Sequence, residues 1–278
     1  MKKILPIIVL IVVALSGCVD KGQDAKDLKR LTANSGKNLD SYRFITETVQ
    51  EIKSIENSTQ STLMIRSIDE GAVNLTAQNM SISTRKNAST GLQAMSSMQQ
   101  EIYVIRDMAK VKLDGNWSQA ALQDSKNFWA LQNVAEKQDM LLNSSQLKIS
   151  GSEIVEGQDC SRIEVTPDSR AYESVLIEQM SSVLPMAYMN LSELYKSSTV
   201  NWTLWISKDD GLPRKEKMKI EFSVTPDMME LPDNQVNNFL LRVDLNTTTR
   251  YKDYNQPLPI KLPEGQRIEP IIGCACNR

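Results

Sequence analysis

The stretch TLWISKDDGLPRKEKMKIEFSV, from Thr203 to Val224, contains two short runs of β-forming residues with a polar segment between them. In the second run an apolar residue stands at every other position, from Met218 through Ile220 to Val224. A period of two is typical of a half-buried antiparallel strand, which has one apolar face and one solvated face. The KDDGLP segment carries the Asp-Gly and Pro residues that favour a tight turn. The stretch therefore predicts a strand, a turn and a returning strand.

The same alternation occurs in three other parts of the chain, and helical spacing occurs in two. The alternating apolar or threonine positions are Tyr42, Phe44, Thr46 and Thr48; Ala109, Val111 and Leu113; and Phe239, Leu241, Val243 and Leu245. Helical spacing predicts one helix over Ser125–Asn143 and a longer one over Ser169–Lys196, which Pro185 should kink or split. A short helix is also expected from Ala25. Antiparallel strands with a few inserted helices predict an α+β fold, with residues 39–278 as a single domain.

The N-terminus carries the features of an export signal. Lys2 and Lys3 precede an apolar run, Ile4–Leu15, that is too short to span a bilayer, which needs about 20 residues. Leu15–Cys18 then resembles the lipobox of secreted lipoproteins, in which the cysteine carries a diacylglyceryl group. This predicts a signal peptide over residues 1–17 and a lipid-anchored tether with the short helix over residues 18–38. The protein would then lie on the outer face of the cytoplasmic membrane, although an ordinary signal peptide with a chance cysteine is the alternative.

Composition argues against several classes of function. The net charge is −2, and it becomes −4 without Lys2 and Lys3, with no basic block that would favour a nucleic-acid partner. The chain has no histidine, which removes the commonest general base and the Ser-His and Cys-His nucleophile pairs. We therefore expect no enzymatic activity and no cofactor. A hydrolase that uses carboxylates alone is the remaining catalytic alternative, and it would need an inward-facing acidic pair in a cleft.

Three cysteines remain after Cys18. In an exported protein they are disulfide candidates, and Cys160 is expected to pair with Cys274 or Cys276. A metal site made of three thiolates is the alternative. The lack of histidine and the presence of a single close cysteine pair argue against it, so we predict no metal.

Asn-x-Ser/Thr triplets are unusually frequent. There are nine, against roughly three expected by chance from 18 asparagines and 43 serines and threonines. This excess favours glycosylation of an exported protein, although a composition rich in these residues is the alternative. Asn116 and Asn201 each precede a tryptophan and are expected to be buried. The predicted glycosylation sites are Asn57, Asn74, Asn79, Asn87, Asn143, Asn190 and Asn246.

The order of the motifs resembles a known group of lipoproteins. A lipobox and a short helix are followed by LDSYRF at residues 39–44, SEIVEGQDCSRIEV at residues 152–165, and the strand-turn-strand that contains Trp205–Ile206 and Asp210–Pro213. This arrangement is similar to the LolA-like and LppX-like lipoproteins, and most similar to the archaeal surface lipoproteins of that superfamily. The similarity spans about residues 28–250.

The resemblance implies a strongly curved antiparallel sheet, an unclosed half-barrel that wraps a few helices on its concave face. It also implies a lipid or another apolar ligand in a cavity between sheet and helices, and the Cys18 anchor favours holding such a ligand over long-range shuttling. A core with 13 methionines and four phenylalanines suits an adaptable apolar pocket, although methionine also simply fills cores. The alternative is a solidly packed module that binds other envelope proteins. The predicted cavity-lining residues are Phe44, Met180, Leu184, Trp205, Met218 and Ile220.

Overall fold

A computed structural model describes residues 24–56, 59–91, 93–168, 191–228 and 239–263 of the 278-residue chain. The strands are β1 Ser41–Glu56, β2 Thr59–Asn74, β3 Asn79–Thr90, β4 Gln93–Ile105, β5 Met108–Leu113, β6 Asn116–Ala121, β7 Ser145–Val155, β8 Gln158–Pro167, β9 Thr199–Ser207, β10 Pro213–Val224 and β11 Phe239–Lys252. The helices are α1 Ala25–Gly36, α2 Ser125–Leu131, α3 Val134–Asn143 and α4 Leu191–Lys196, with a 3₁₀ turn over Pro226–Met228.

The eleven strands of the described residues belong to one antiparallel sheet. Its order is β6-β5-β4-β3-β2-β1-β11-β10-β9-β8-β7, so the first and last strands pair at its centre. The chain meanders outward from β1 to β6, crosses to the other edge through α2 and α3, and returns from β7 to β11. In the described ranges β6 and β7 form the two edges and do not pair with each other, so the sheet is unclosed.

The expected α+β class is wrong, because strands dominate the described chain and helices are minor. Two long hairpins, β1–β2 and β3–β4, supply much of the strand content that the sequence did not predict. The predicted helix over Ser125–Asn143 is two helices, since Asn133 caps the second one by accepting a hydrogen bond from the backbone N–H of Glu136 at 3.2 Å. Most of the second predicted helix, and its Pro185 kink, lies outside the described residues.

One face of the sheet, which we call the inner face, carries the core. The predicted alternation in β10 is confirmed there, since Met218, Ile220, Phe222 and Val224 are all buried. A larger cluster joins these residues to β8, β9, β11, α1 and α3. A second cluster surrounds Tyr42 and includes Trp129 of α2 and Leu212 of the β9–β10 turn. The helices α1 to α3 thus contribute residues to cores built on the same face of the sheet.

The turn between β9 and β10 supports α1. Ser207 accepts a backbone hydrogen bond from Gly211 at 3.0 Å, and Asp210 forms an ion pair with Arg214. Gly211 adopts a left-handed conformation with φ of +70°, and a Cβ added there would lie 2.6 Å from Leu31 Cγ. Helix α1 therefore packs directly against the backbone of the turn, at a distance that only glycine permits.

Replacing Gly211 by alanine should destabilise the fold through two separate effects. The left-handed conformation costs a residue with a Cβ about 1–2 kcal/mol, and the collision with Leu31 adds a packing cost of roughly 1–3 kcal/mol. Urea unfolding of the purified protein measures the sum.

Gly157 provides a matched control, since its φ is +78° and nothing lies within 4 Å of an added Cβ. Gly157→Ala should show only the conformational cost. Equal losses in the two variants would mean that α1 does not pack against the turn as described.

Candidate functional site

A cleft of about 1340 Å³ lies between the inner face of the sheet and the helical segment α2–α3. The sheet residues that line it, which we call the floor, are Tyr42, Phe44, Thr46, Thr48, Trp202, Glu216, Met218, Thr247, Thr249 and Tyr251. The helical residues, which we call the wall, are Leu131, Gln132, Val134, Lys137, Gln138, Asp139, Met140, Leu141, Asn143 and Ser144. Asp69 and Asp168 complete the lining. The cleft borders both core clusters, because Met218 belongs to the larger one and Tyr42 to the second.

Four threonines form the centre of the floor. Thr46 pairs with Thr249 and Thr48 with Thr247 across β1 and β11, and their Oγ1 atoms lie 3.0 and 3.3 Å apart. Further along the same strands the inner face carries larger side chains, with Leu245 opposite Gln50 and Val243 opposite Ile52. Because threonine is shorter than leucine and bonds to its neighbour, these two rungs leave space below the wall.

Phe44 covers a glycine in the neighbouring strand. Gly71 is its cross-strand partner in β2, and a Cβ added there would lie 2.2 Å from Phe44 Cζ. The ring therefore lies against bare backbone, where no side chain competes for the space. Its centroid is 6.2 Å from that of Tyr42, so the two rings form an aromatic end to the floor.

Glu216 is the centre of a polar network in the floor. Its Oε2 accepts hydrogen bonds from Tyr251 Oη at 3.0 Å and from Gln138 Nε2 at 3.2 Å. Burial raises the pKa of Glu216 above its usual range, although Lys137 and the neighbouring hydrogen-bond donors oppose the shift. The network connects the sheet to α3 through one carboxylate.

Two further side chains beside this network are buried. Trp202 approaches the Glu216 carboxyl as a hydrogen-bond donor, which favours the charged form. Gln138 is 4% exposed, and its Oε1 is a buried acceptor without a hydrogen-bond partner. A buried polar atom without a partner costs about 1–3 kcal/mol, so this oxygen lowers the stability of the fold.

The edge of the wall presents apolar side chains to solvent. Leu131 at the end of α2 is 51% exposed and Met140 in α3 is 70% exposed. Both belong to the lining of the cleft. We call this pair the apolar lip.

The predicted lining residues occupy different positions. Phe44 and Met218 lie in the floor, and Ile220 is fully buried in the larger core cluster, one step along β10 from Met218. Trp205 faces the opposite side of the sheet from Leu204 and Ile206; its Nε1 donates to Glu153 at 2.6 Å, and Lys215 Nζ lies 4.1 Å from its ring. Met180 and Leu184 lie outside the described residues.

Cys160 is buried in a small cluster with Val155 and Trp205, and burial raises the pKa of its thiol to about 11. Cys18, Cys274 and Cys276 lie outside the described residues, so the lipidation and the disulfide pairing stay predictions. No group of three metal-ligating side chains occurs in the part of the chain that the structure describes. Across the same part, every helix is too short or too polar to cross a bilayer.

The predicted glycosylation sites differ in exposure. Asn87 and Asn143 are exposed, and Asn143 lies at the wall of the cleft. Asn74, Asn79 and Asn246 are half-buried, and Asn57 and Asn190 lie outside the described residues. The expected burial of Asn116 and Asn201 is wrong, because both are exposed. Glycosylation itself stays a prediction.

Sequence reasoning did not nominate Glu216, Trp202, Gln138 or Tyr251. One signal was available for Glu216. It has the same parity as Met218 and Ile220 in β10, so the alternation alone places it on the inner face. The contribution of Gln138 depends on how α3 docks, which has no local signal.

No family model matches the chain, and no curated protein sequence matches it. Solved structures with some similarity include a Pseudomonas aeruginosa MucA/MucB complex, at 18% identity and a TM-score of 0.25, with 81% of this chain and 57% of that one covered. This chain thus spans little more than half the length of that protein. A LolA superfamily protein from Nitrosomonas europaea matches at 12% identity and a TM-score of 0.22, over 86% and 94% of the two chains. A putative outer membrane lipoprotein-sorting protein domain from Vibrio parahaemolyticus matches at 11% identity and a TM-score of 0.21, with 84% of this chain and 95% of that one covered. TM-scores this low establish no common function.

The stability of the fold should depend on the ionisation of Glu216. Because its folded pKa is raised, the folded state binds its proton more tightly than the unfolded chain does. Stability from this group is therefore present below the unfolded pKa and is lost as pH rises towards the folded pKa. In urea unfolding between pH 4 and pH 8, the wild-type protein should lose stability relative to Glu216→Gln as pH increases.

Glu164→Gln gives a control of opposite sign. The hydrogen bond and charge of Lys148 hold the pKa of this exposed carboxyl below its usual range. Here the wild-type protein should gain a small stability relative to the variant as pH rises through the folded and then the unfolded pKa. If the stability difference between wild type and variant changed with pH in the same direction for Glu216→Gln and Glu164→Gln, the burial of Glu216 would be contradicted.

Proposed function

We propose that this chain is a LolA-like lipoprotein, anchored outside the cytoplasmic membrane through Cys18, that binds an amphipathic ligand in the cleft without a covalent step. The observation that carries the proposal is the open cleft of about 1340 Å³ with an exposed apolar lip. Small-molecule sites are usually about 300–1,000 Å³, so this volume suits a ligand with long chains. The archaeal type, the lipid anchor and the glycans rest on the sequence alone.

The lining supports binding of a chain-like apolar group. Phe44, Met218 and Leu141 give apolar contact, and the threonine side chains of the floor add no charge. Each methylene transferred from water to such surroundings contributes about 0.8 kcal/mol. The cleft argues against the alternative function, a solidly packed module that binds envelope proteins. In such a module the helices would fill the space above the inner face of the sheet.

The surroundings of Glu216 favour binding over hydrolysis. A carboxylate pair that catalyses hydrolysis shifts the pKa of one member strongly through the charge of the other. The main influences on Glu216 are burial, Lys137 and three hydrogen-bond donors, and no second carboxylate is among them. The polar network therefore supports a role in recognition.

The first experiment measures whether an apolar ligand occupies this cleft. Thr48→Trp should place a large ring over the floor and reduce the affinity for a fluorescent acyl-chain probe by roughly tenfold, through lost volume. Val49→Trp is the matched control, since Val49 is the next residue of β1, is 37% exposed and faces the other side of the sheet. Circular dichroism checks that both variants fold. Equal affinities for the two variants, or no binding by the wild-type protein, would contradict the proposal.

The apolar lip should accelerate ligand entry. Met140→Gln removes exposed apolar surface at the mouth, so the rate of probe transfer from phosphatidylcholine vesicles should fall several-fold while folding stability changes little. Ile154→Gln is the control, because Ile154 is 67% exposed in β7 and does not line the cleft. If the two variants slow transfer equally, Leu131 and Met140 have no special role at the mouth.

A further inference from the structure

The strand β6 forms one edge of the sheet in the described residues, and it lacks the usual protections of an edge strand. Its sequence, NWSQAA over Asn116–Ala121, has no charged side chain and no proline, and its pairing with β5 is regular. All of its residues except Trp117 are exposed. Natural proteins usually use charge, proline or a bulge to prevent an exposed edge from pairing with another chain. An edge without these features is a template for a further strand.

The other edge strand, β7, is protected. Its pairing with β8 shifts register between Ile149 and Gly151, where the glycine has a φ of +136°. Lys148 and Glu153 add charged side chains to the same strand. A bulge bends and twists an edge strand, and a neighbouring strand would have to displace water from its charges. Pairing of β6 with β7 of another copy, which would build an open-ended polymer, is therefore unfavourable.

The hydrogen bonds next to β6 show which of its backbone groups face outward. The N–H of Leu122 donates to the carbonyl of Asp107 at 2.7 Å, so Leu122 bonds towards the neighbouring hairpin strand. This direction alternates along an antiparallel strand, so residues of the same parity, such as Ala120, also bond towards β5. Trp117 and Ala121 have the other parity. Their backbone N–H and C=O groups therefore point away from the sheet.

These outward groups fit a second copy of the same strand in antiparallel orientation. With a two-fold axis at Gln119, Trp117 of each strand lies opposite Ala121 of the other, in a hydrogen-bonded pair. Each pair sets a large indole ring beside a methyl group. The ring of Trp117 is already held in place, since its centroid is 6.0 Å from that of Tyr103 and 5.8 Å from Lys112 Nζ. Hydrogen bonds, side-chain size and the lack of charge in β6 all favour this partner.

We propose that two copies of this chain pair through their β6 strands, antiparallel about Gln119, and so join their sheets into one. The contact uses the same surface on both copies, so it closes as a dimer. Because β6 has only six residues, the interface is at the lower end of the range for specific complexes, and the dimer should be weak. Strands β2 to β5 separate β6 from β1, so the cleft stays accessible and this inference does not depend on the proposed function.

Sedimentation equilibrium of the purified full chain measures the association. The wild-type protein should change from monomer to dimer as its concentration rises. Ala121→Pro removes an outward N–H and adds bulk where Trp117 of the other copy would lie, so the dissociation constant should rise by roughly tenfold or more. The hydrogen bonds between β5 and β6 do not use this N–H, so the hairpin itself should persist.

Ser152→Pro is the matched control. Ser152 is an exposed residue of β7, so this variant places a proline in the protected edge strand and should leave the association unchanged. Circular dichroism checks that both proline variants fold.

Cysteine variants test the register of the two strands. Only a residue at the two-fold axis lies opposite itself, with its two Cα atoms about 5.5 Å apart, a distance that a disulfide spans. Gln119→Cys should therefore form a covalent dimer on mild oxidation. Ala121→Cys should form one only when it is mixed with Trp117→Cys. The wild-type protein, which has four cysteines of its own, gives the background.

Three results would overturn the proposal. The first is a wild-type monomer at every concentration. The second is a dimer that Ala121→Pro does not weaken, and the third is equal cross-linking of Gln119→Cys and Ala121→Cys, since either would place the contact elsewhere. If Ala121→Pro does not fold, the comparison of the cysteine variants decides.

Discussion

The register between β1 and β11 is the constraint on which the rest of the structure depends. It pairs Phe44 with Tyr251, Thr46 with Thr249 and Gln50 with Leu245, and so places both sets of side chains on one face of the sheet. Because side chains alternate in a strand, a slip of one residue would move all of them to the solvated side. The two halves of the sheet meet at this pair of strands, so one register decides what the helices can cover. The core and the cleft are both consequences of it.

The composition of the inner face changes along these central strands. Towards one end, Ile52 and Val243 support a packed apolar cluster, and towards the other, Tyr42 and Tyr251 pack among aromatic rings. Between them the face consists of threonine rungs, whose hydroxyl groups bond to each other across the strands. Threonine favours strands as valine does, so the sheet continues without interruption through these rungs. The cleft therefore results from small side chains on the inner face, and the backbone of the sheet stays regular below it.

The period-two pattern of the sequence predicts the strands in which apolar and polar residues alternate strongly, and it does not predict the others. The hairpin that ends at Val224 and the inner faces near Tyr42 and Leu245 follow from period-two spacing, and the structure confirms them. The strands β2 to β4 alternate weakly, because serine, threonine and glutamine occupy much of both faces of a half-buried part of the sheet. Their length comes from pairing in sequence, β2 with β1, β3 with β2 and β4 with β3, which is a tertiary effect. The α+β expectation overvalued the helices for this reason.

The candidate site shows the same division between local and tertiary information. The period-two alternation places Phe44 and Met218 on the face that lines the cleft. Glu216 lies on the same face, although a charged residue in a strand is usually expected on the solvated face. The hydrogen bond from Gln138 to Glu216 has no local signal, because it forms only when α3 docks over the sheet. Burial of the Glu216 carboxyl costs desolvation free energy, and an apolar residue of similar size would remove that cost and pack the cleft. A chain that only had to fold would gain nothing from a polar network in the floor. This cost supports the proposed role of the network in ligand recognition.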